Sequence, residues 1–326
     1  MKKWIFILSG LLAIQLILTA AVTLTGEDYE AFQAEEKVLS FDKKEVDGLR
    51  IEDGTDSVSL KKQEGKWLLP ESGDFPANQS SVEQLLGKLA TLKKGWPVAK
   101  TRSALRRFKV DEEQFERKLV LLSGDEAQAT LYVGTSPGFR KVHIRPANGD
   151  EVYAVMFNTW DAAAKADEWI DKDVLTLEES DLDRVEIPGV VLHWKDGKPK
   201  VADLGEKEQT NEKESRSLLG KLTKLRIQSV LGTEIKPEYR QDEPALEVKI
   251  TRKGGEVLNY RFSKSEDASY YILKRSDLDH YFKVAEYTLN PIKETTREKL
   301  VQATSEETSS EPTGDKGVEK KSSARP

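Results

Sequence analysis

The chain of 326 residues contains no cysteine, two methionines and three histidines. The lack of thiols excludes a disulfide framework, thiolate metal sites, a cysteine nucleophile and a lipidated cysteine. The histidines, His143, His193 and His280, are far apart and lack the short local spacing of zinc ligands. We therefore predict no metal site and no cofactor. Cysteine content alone does not choose the compartment, because a thiol-free chain suits an oxidising envelope and the cytosol equally.

A strong charge imbalance is also missing. The formal net charge is -6, although 33 % of the residues are charged, which argues against a nucleic-acid partner. The sequence contains no phosphate-binding loop, no Gly-x-Ser-x-Gly elbow, no His-Glu-x-x-His pair and no dinucleotide-binding glycine pattern. We therefore predict that the protein is not an enzyme. A remote alternative is a hydrolase that uses dispersed carboxylates such as the pair Glu112-Glu113.

What the sequence does have, at its N-terminus, is one long apolar run. The run extends without charge from Trp4 to Leu24 and would span roughly 31 Å as a helix, about the thickness of the bilayer hydrocarbon. Two lysines precede it and three acidic residues follow at 27–30, which favours an N-terminus inside and the remainder outside. We interpret residues 1–26 as a single transmembrane signal anchor, in the bacterial inner membrane, with the bulk of the chain in the periplasm.

A cleaved signal peptide is the rival interpretation of the same run. The small residues at 18–21 form passable cleavage sites, although a signal-peptide core is usually about 7–15 residues long. Both interpretations place the bulk of the chain outside the cytoplasm.

The second prominent feature is an internal repetition. Residues 38–41, 46 and 49–51 match residues 174–177, 182 and 185–187 at an offset of 136 positions without a gap. Farther on, the pattern Leu-Leu-Gly-Lys-Leu at 85–89 returns at 218–222, offset by 133. We interpret residues 37–173 as one repeat unit and 174–302 as a second. From 303 to 326 the composition is polar and predicts a disordered tail.

Within each unit the periodicity changes in the same order. Alternating apolar residues first predict strands, and an amphipathic helix follows with its leucines on one face, capped by Asn78 or Ser80 in the first unit and by Asn211 in the second. A four-strand meander and a short closing helix complete each unit. Because strands are grouped rather than alternated with helices, the predicted fold class is α+β with antiparallel sheets.

This order of elements resembles the bacterial domain-of-unknown-function family DUF4340. The matching residues are Trp67 on a strand, the step Pro76-Ala77-Asn78, the leucine-striped helix, the meander and the closing residues 169–175. The resemblance covers residues 37–300 and implies tandem, membrane-anchored copies. It also implies single-pass envelope proteins, some of which are encoded near components of ATP-binding-cassette (ABC) transporters or gliding-type auxiliary proteins. The family brings no accepted catalytic residues. The second unit departs from the pattern, since Pro199 stands where Trp67 would align.

One segment is unusually basic for this acidic chain. Between 93 and 109, seven cations occur without an acidic residue, and Trp96 and Phe108 flank them. The segment could contact anionic lipid headgroups or an acidic partner; alternatively, it is a solvated connector that balances nearby carboxylates. The candidate contact residues are Lys93, Lys94, Lys100, Arg102, Arg106 and Arg107.

These observations predict a membrane-anchored, non-enzymatic periplasmic accessory or scaffold protein. Its expected partners are the membrane, through one span, and a membrane protein complex, for example an ABC-type transporter. The alternative is a module that binds envelope polysaccharide or peptidoglycan, with Tyr270, Tyr271 and Tyr281 as stacking platforms. Strand alternation predicts that Tyr270 and Tyr271 lie on opposite faces of their sheet.

Overall fold

The structure, a computed structural model, describes residues 10–16, 19, 36–264 and 268–304. Residues 10–16 and 19 are helical, and the rest of the predicted anchor lies outside the described residues. None of the helices in the described part of the chain has the length and hydrophobicity that crossing a bilayer requires.

The described chain has an α+β fold with two antiparallel sheets of eight strands each. The first sheet has the order β4-β3-β2-β1-β5-β6-β7-β8. Its strands are β1 (Gly48–Glu52), β2 (Ser57–Gln63), β3 (Lys66–Leu69), β4 (Phe75–Pro76), β5 (Arg117–Ser123), β6 (Glu126–Val133), β7 (Lys141–Pro146) and β8 (Tyr153–Met156). Since β1 pairs with both β2 and β5, the early hairpins and the later meander form one continuous surface.

The second sheet has the order β11-β10-β9-β14-β15-β16-β17-β13. Its strands are β9 (Leu182–Ile187), β10 (Val190–Lys195), β11 (Lys198–Val201), β13 (Ser229–Val230), β14 (Leu246–Arg252), β15 (Val257–Ser263), β16 (Tyr270–Arg275) and β17 (Tyr281–Ala285). A separate pair joins β12 (Glu208–Thr210) to β18 (Val301–Ala303). Ala303 is thus the last residue of a strand; of the predicted polar tail, residues 305–326 lie outside the described part.

Within the described residues from 36 onwards, five α-helices accompany the sheets. They are α1 (Gln79–Thr91), α2 (Arg102–Arg107), α3 (Glu212–Thr223), α4 (Glu286–Lys293) and α5 (Arg297–Leu300). The side chain of Asn78 caps α1 by accepting a hydrogen bond from the Ser81 N–H, and Asn211 caps α3 through the Glu214 N–H. Both caps agree with the sequence, and each satisfies one of the free N–H groups of a first helical turn.

The leucine stripes of the two long helices are buried, as the sequence predicts. In α1 the buried residues are Val82, Leu85, Leu86 and Leu89, and in α3 they include Leu218, Leu219 and Leu222. These stripes belong to one connected apolar cluster that also contains the inward-facing residues of both sheets. Removal of apolar area from water at about 25 cal/mol per Å² makes this cluster the main source of stability.

Trp67 on β3 is buried, and α1 holds it in place. The side-chain amide of Gln79 accepts a hydrogen bond from the Trp67 N–H at 2.8 Å and donates one to the Trp67 carbonyl at 2.9 Å. The indole N–H donates to Glu83 at 3.2 Å. The start of α1 therefore completes the hydrogen bonding of β3 next to its short pairing with β4.

The outer face of each meander is covered by the segment that leads into it. In the first half, Leu105 and Val110 pack against Tyr132 and Val152. In the second half, Tyr239 packs against Ile272 and Tyr281. Each sheet is thus covered on two faces, by a long helix on one and by a connecting segment on the other.

Candidate functional site

The cationic segment, residues 93–109, lies across the outer face of the first sheet. Its central part forms the short helix α2, which begins after Thr101, whose hydroxyl accepts a hydrogen bond from the Ala104 N–H. Leu105 is the buried residue of α2. The arginines close to it in sequence, Arg102, Arg106 and Arg107, have exposed side chains. The segment therefore covers part of the outer face of the sheet and also presents exposed cations to solvent.

A close backbone approach fixes the segment to the meander. The N–H of Thr135 donates to the Phe108 carbonyl at 2.9 Å. A Cβ placed on Gly134 would lie 2.0 Å from the Phe108 carbonyl oxygen and 2.4 Å from that of Lys109. Only glycine permits this contact without displacement of the backbone.

His143 supports the same contact from beneath. Its Nδ1 donates to the Thr135 carbonyl at 2.8 Å, and its ring lies 4.1 Å from that of Phe108. Burial lowers the pKa of His143, because a charged imidazolium loses hydration at this position. We interpret His143 as a structural residue that orients the loop between β6 and β7.

Several cations of the segment pair with carboxylates. Lys94 lies 3.0 Å from Glu36, and Lys100 lies 2.5 Å from Glu151. Arg106 lies 3.9 Å from Glu113. Such exposed pairs contribute about 0–1 kcal/mol each, so they balance charge more than they stabilise the fold.

The remaining candidate cations have different neighbours. The Arg107 guanidinium lies 4.6 Å from the centre of the Phe108 ring, while Lys93 lines a groove at the C-terminal end of α1. Arg102 lines a cavity of about 520 Å³ beside α2. The candidate residues thus lie along one segment but face more than one surface.

The cavity beside α2 is of mixed charge. Three arginines line it, Arg102, Arg106 and Arg145, together with the carboxylates Asp111, Glu112, Glu113 and Asp150. With four carboxylates against three guanidinium groups, this cavity favours neither a polyanion nor a polycation.

Arg145 is the cationic residue of the cavity that the sequence reasoning missed. It is buried, its Nε donates to the Val110 carbonyl at 2.7 Å, and its guanidinium lies 4.6 Å from the Tyr132 ring centre. Because side chains alternate along β7, Arg145 lies on the sheet face opposite Ile144. This alternation is the sequence signal that could have identified Arg145. The helix α2 was also missed, because its six residues carry no amphipathic stripe of their own.

The other histidines and acidic pairs lie in separate places. His193 is exposed on β10, and His280 contacts the first half of the chain. Asp277 forms an ion pair with the buried Arg275 at 2.6 Å, and Asp181 pairs with Arg252 at 3.0 Å. Within the described ranges, no three of the His, Asp and Glu side chains are grouped to hold a metal ion.

The proposed stacking tyrosines are largely enclosed, which corrects the expectation that they are exposed. Tyr271 and Tyr281 are buried, and Tyr270 is half-buried. The Tyr271 hydroxyl reaches Asn290 on α4 at 3.1 Å, whereas Tyr270 packs beside the cluster on the opposite, outer face. The predicted placement of Tyr270 and Tyr271 on opposite faces is therefore confirmed.

Comparison with known proteins adds a family but no relative of known activity. No curated protein matches the chain, and no solved structure matches it. The family model described as "Domain of unknown function (DUF4340)" matches residues 67–244. The match begins at Trp67, continues through α1, the cationic segment and the first meander, and extends into the second sheet. Because it covers more than half of the chain, the protein belongs to the DUF4340 family.

Proposed function

We propose that the protein is a membrane-anchored, non-enzymatic accessory or scaffold component of a bacterial envelope complex, such as an ABC-type transporter. Residues 1–26 would form the single inner-membrane span, and two tandem units, 37–173 and 174–302, would face the periplasm. The apolar run from Trp4 to Leu24 and the charges on either side of it support the anchor.

The observation that carries this proposal is a pair of matching backbone contacts. The N–H of Asn78, the cap of α1, donates to the Trp169 carbonyl at 2.6 Å. The N–H of Asn211, the cap of α3, donates to the Leu300 carbonyl at 2.8 Å. In each half, the start of the long helix is thus joined to the closing segment, which supports a duplicated unit.

The strand orders support the same interpretation. The sequence β3-β2-β1-β5-β6-β7-β8 in one sheet parallels β11-β10-β9-β14-β15-β16-β17 in the other. Two similar surfaces on one tether raise the effective concentration of the second contact once the first is made. Bivalent contact with a multi-subunit partner is therefore the use that we assign to the duplication.

The cationic segment is proposed as the contact region of the first unit, for anionic headgroups or an acidic partner surface. Replacement of Arg102, Arg106 and Arg107 with Glu should abolish co-purification of an acidic partner, or weaken binding to anionic liposomes, without lowering the melting temperature. The matched control replaces Lys195, Lys198 and Lys200, exposed cations of the second unit, with Glu. Equal binding by wild type and the arginine variant would remove this segment from the proposal.

Affinity capture from membranes tests the scaffold role. The tagged full chain should recover a membrane complex in mild detergent, whereas a version with residues 1–26 replaced by a cleavable signal peptide should recover much less. A third version, with an unrelated single-span anchor, should restore recovery. Capture of no membrane protein by either anchored version would contradict the proposal, and sedimentation with isolated cell-wall material would favour the polysaccharide-binding alternative.

The compartment can be tested independently, because the chain has no native cysteine. A cysteine introduced at the exposed Ser57 should react with a membrane-impermeant maleimide once the outer membrane is permeabilised. Reaction only after lysis of the inner membrane would contradict a periplasmic location.

A further inference from the structure

Four large, exposed apolar side chains belong to residues that line a basic groove at one end of the first sheet or are next in sequence to residues that line it. We name them the apolar rim: Trp96, Phe139, Met156 and Trp160. Between 61 % and 85 % of each of these side chains is exposed. Single exposed apolar residues are common on soluble proteins, but several around one concavity mark a contact surface.

The groove has a volume of about 860 Å³. Its lining includes Met156 itself and the residues next to the other rim members, namely Gly95, Arg140 and Asp161. Strand pairing brings two of these sites together, since Lys141 at the start of β7 lies opposite Met156 at the end of β8. The four rim residues therefore lie in or beside one groove, which is formed by the end of α1, by β7 and β8 and by their connections.

The charge of the groove is positive in a chain whose net charge is negative. Four cations line it, Lys88, Lys93, Arg140 and Lys141, with Asp161 as the one carboxylate in the lining. Lys88 lies 2.8 Å from Asp161, and the Arg140 guanidinium lies 4.9 Å from the Phe139 ring centre. Cations interleaved with tryptophan and phenylalanine match an interface that is apolar inside and anionic outside, which is the chemistry of a bilayer surface.

The path of the chain points to the same partner. The first residues of the folded part run along the end of α1, where the Lys94 N–H donates to the Glu36 carbonyl at 3.0 Å and the Val38 N–H donates to the Leu92 carbonyl at 2.8 Å. Leu92 and Lys93 also line the groove, so the chain enters the fold beside the rim. The 11 residues at 25–35 reach at most about 40 Å when extended.

We propose that the apolar rim and its basic groove form a docking surface for an anionic lipid bilayer, which holds the first unit against the membrane from which its own tether emerges. This inference rests on the proposed anchor and assigns the orientation of the first unit relative to the membrane. Trp96 and Trp160 lie at the headgroup level, Phe139 and Met156 enter the acyl boundary, and Arg140 and Lys141 meet lipid phosphates. The groove is distinct from the mixed-charge cavity beside α2.

Depth measurements with spin labels test the docking. Single labels are introduced through Phe139→Cys and Trp160→Cys in the full chain, reconstituted in vesicles of phosphatidylglycerol and phosphatidylethanolamine. The control label is placed through Tyr287→Cys, because Tyr287 is 78 % exposed on α4 in the other half. Relative to the control, both rim labels should be several-fold more accessible to oxygen dissolved in lipid than to a water-soluble nickel chelate.

Charge is tested in the same assay. The combined change Arg140→Gln and Lys141→Gln should reduce the ratio of docked to undocked protein by about tenfold or more, with an unchanged melting temperature. Vesicles of phosphatidylcholine alone should weaken the docking in the same direction. Docking of equal depth on phosphatidylcholine would overturn the role of the anionic headgroups.

The outcomes separate the docking from the anchor. If the protein resists carbonate extraction and the rim labels are as accessible to water as the control label, the docking is wrong while the anchor stands. Release by carbonate overturns the anchor and the docking together. Protection of the rim labels from both oxygen and nickel would reveal a protein contact, such as a second copy, and would also overturn the inference.

Discussion

The imidazole of His280 lies edge-on against the ring of Phe75, with 5.1 Å between the ring centroids. Its Nε2 lies 3.1 Å from the Ser72 carbonyl oxygen and 3.0 Å from that of Gly73. Because carbonyls only accept hydrogen bonds, Nε2 carries the proton. A turn before α1 is thus bonded to the start of β17, which joins the two halves of the chain.

We predict that His280→Ala lowers the free energy of unfolding by about 1 kcal/mol, the net contribution of a shared hydrogen bond and its packing. His193→Ala is the matched control, since His193 is exposed on β10, and its effect should stay within about 0.5 kcal/mol. Chemical denaturation measures both. Equal stability of the two variants would mean that the contact does not couple the halves.

Trp67→Ala should lower the free energy of unfolding by about 3–5 kcal/mol, since a large buried side chain is replaced by a cavity. Trp67 is 1 % exposed, whereas Trp96 is 74 % exposed. Trp96→Ala should therefore change stability by no more than about 0.5 kcal/mol. Calorimetry measures the free energy of unfolding of both variants. A small loss of stability for Trp67→Ala would contradict the packing described for β3.

Gly134→Ala should cost about 1–3 kcal/mol, because the added methyl group overlaps two carbonyl oxygens of the cationic segment. Gly138→Ala provides the control, as a Cβ there has no atom within 4 Å. Hydrogen exchange at the Thr135 amide should accelerate only in the first variant. Unchanged exchange would show that the segment is not held by this approach.

Acid should weaken the closure of the second half. The Arg297 guanidinium, and then the Gly205 N–H, hold the pKa of Glu208 at about 2, below its ordinary 4.5. A lowered pKa in the folded state means that the unfolded state binds more protons, so this contribution is present above pH 4.5 and is lost as the pH falls towards 2.

The stability gap between wild type and Glu208→Gln should therefore shrink between pH 4.5 and 2, the interval set by the two pKa values of Glu208. Arg297→Gln removes the same ion pair, so its gap should shrink over the same interval. Thermal melts across this range measure both. A gap that stays constant in acid would contradict the assignment.

Local periodicity predicted much of the fold. The buried stripe of α1, the caps Asn78 and Asn211, and the meander strands follow from side-chain spacing and capping chemistry, which act over a few residues. Helix α1 ends at Thr91, before the helix-breaking residues Gly95 and Pro97 of the sequence. Lys93 forms a β-bridge with Lys37 instead, so the residues that follow Thr91 are not helical.

Features that depend on distant parts of the chain could not be predicted in this way. The contact of Phe75 with His280, the burial of Arg145 beneath α2 and the approach of Gly134 to Phe108 each join segments with no common local pattern. The basic composition of residues 93–109 was visible in the sequence. The sequence did not show that these cations are divided between a mixed-charge cavity and a separate apolar-rimmed groove, because that division depends on the sheet topology.

The pairing of β12 with β18 has a consequence for synthesis. Because the ribosome delivers the chain from its N-terminus, the first sheet and α1 can assemble soon after residue 170 has emerged. The Asn211 N–H, in contrast, can form its hydrogen bond only after Leu300 has been synthesised. The second half therefore remains open until residue 300 has been made, and a nascent chain stopped before that residue would present an unclosed α3 to chaperones and proteases.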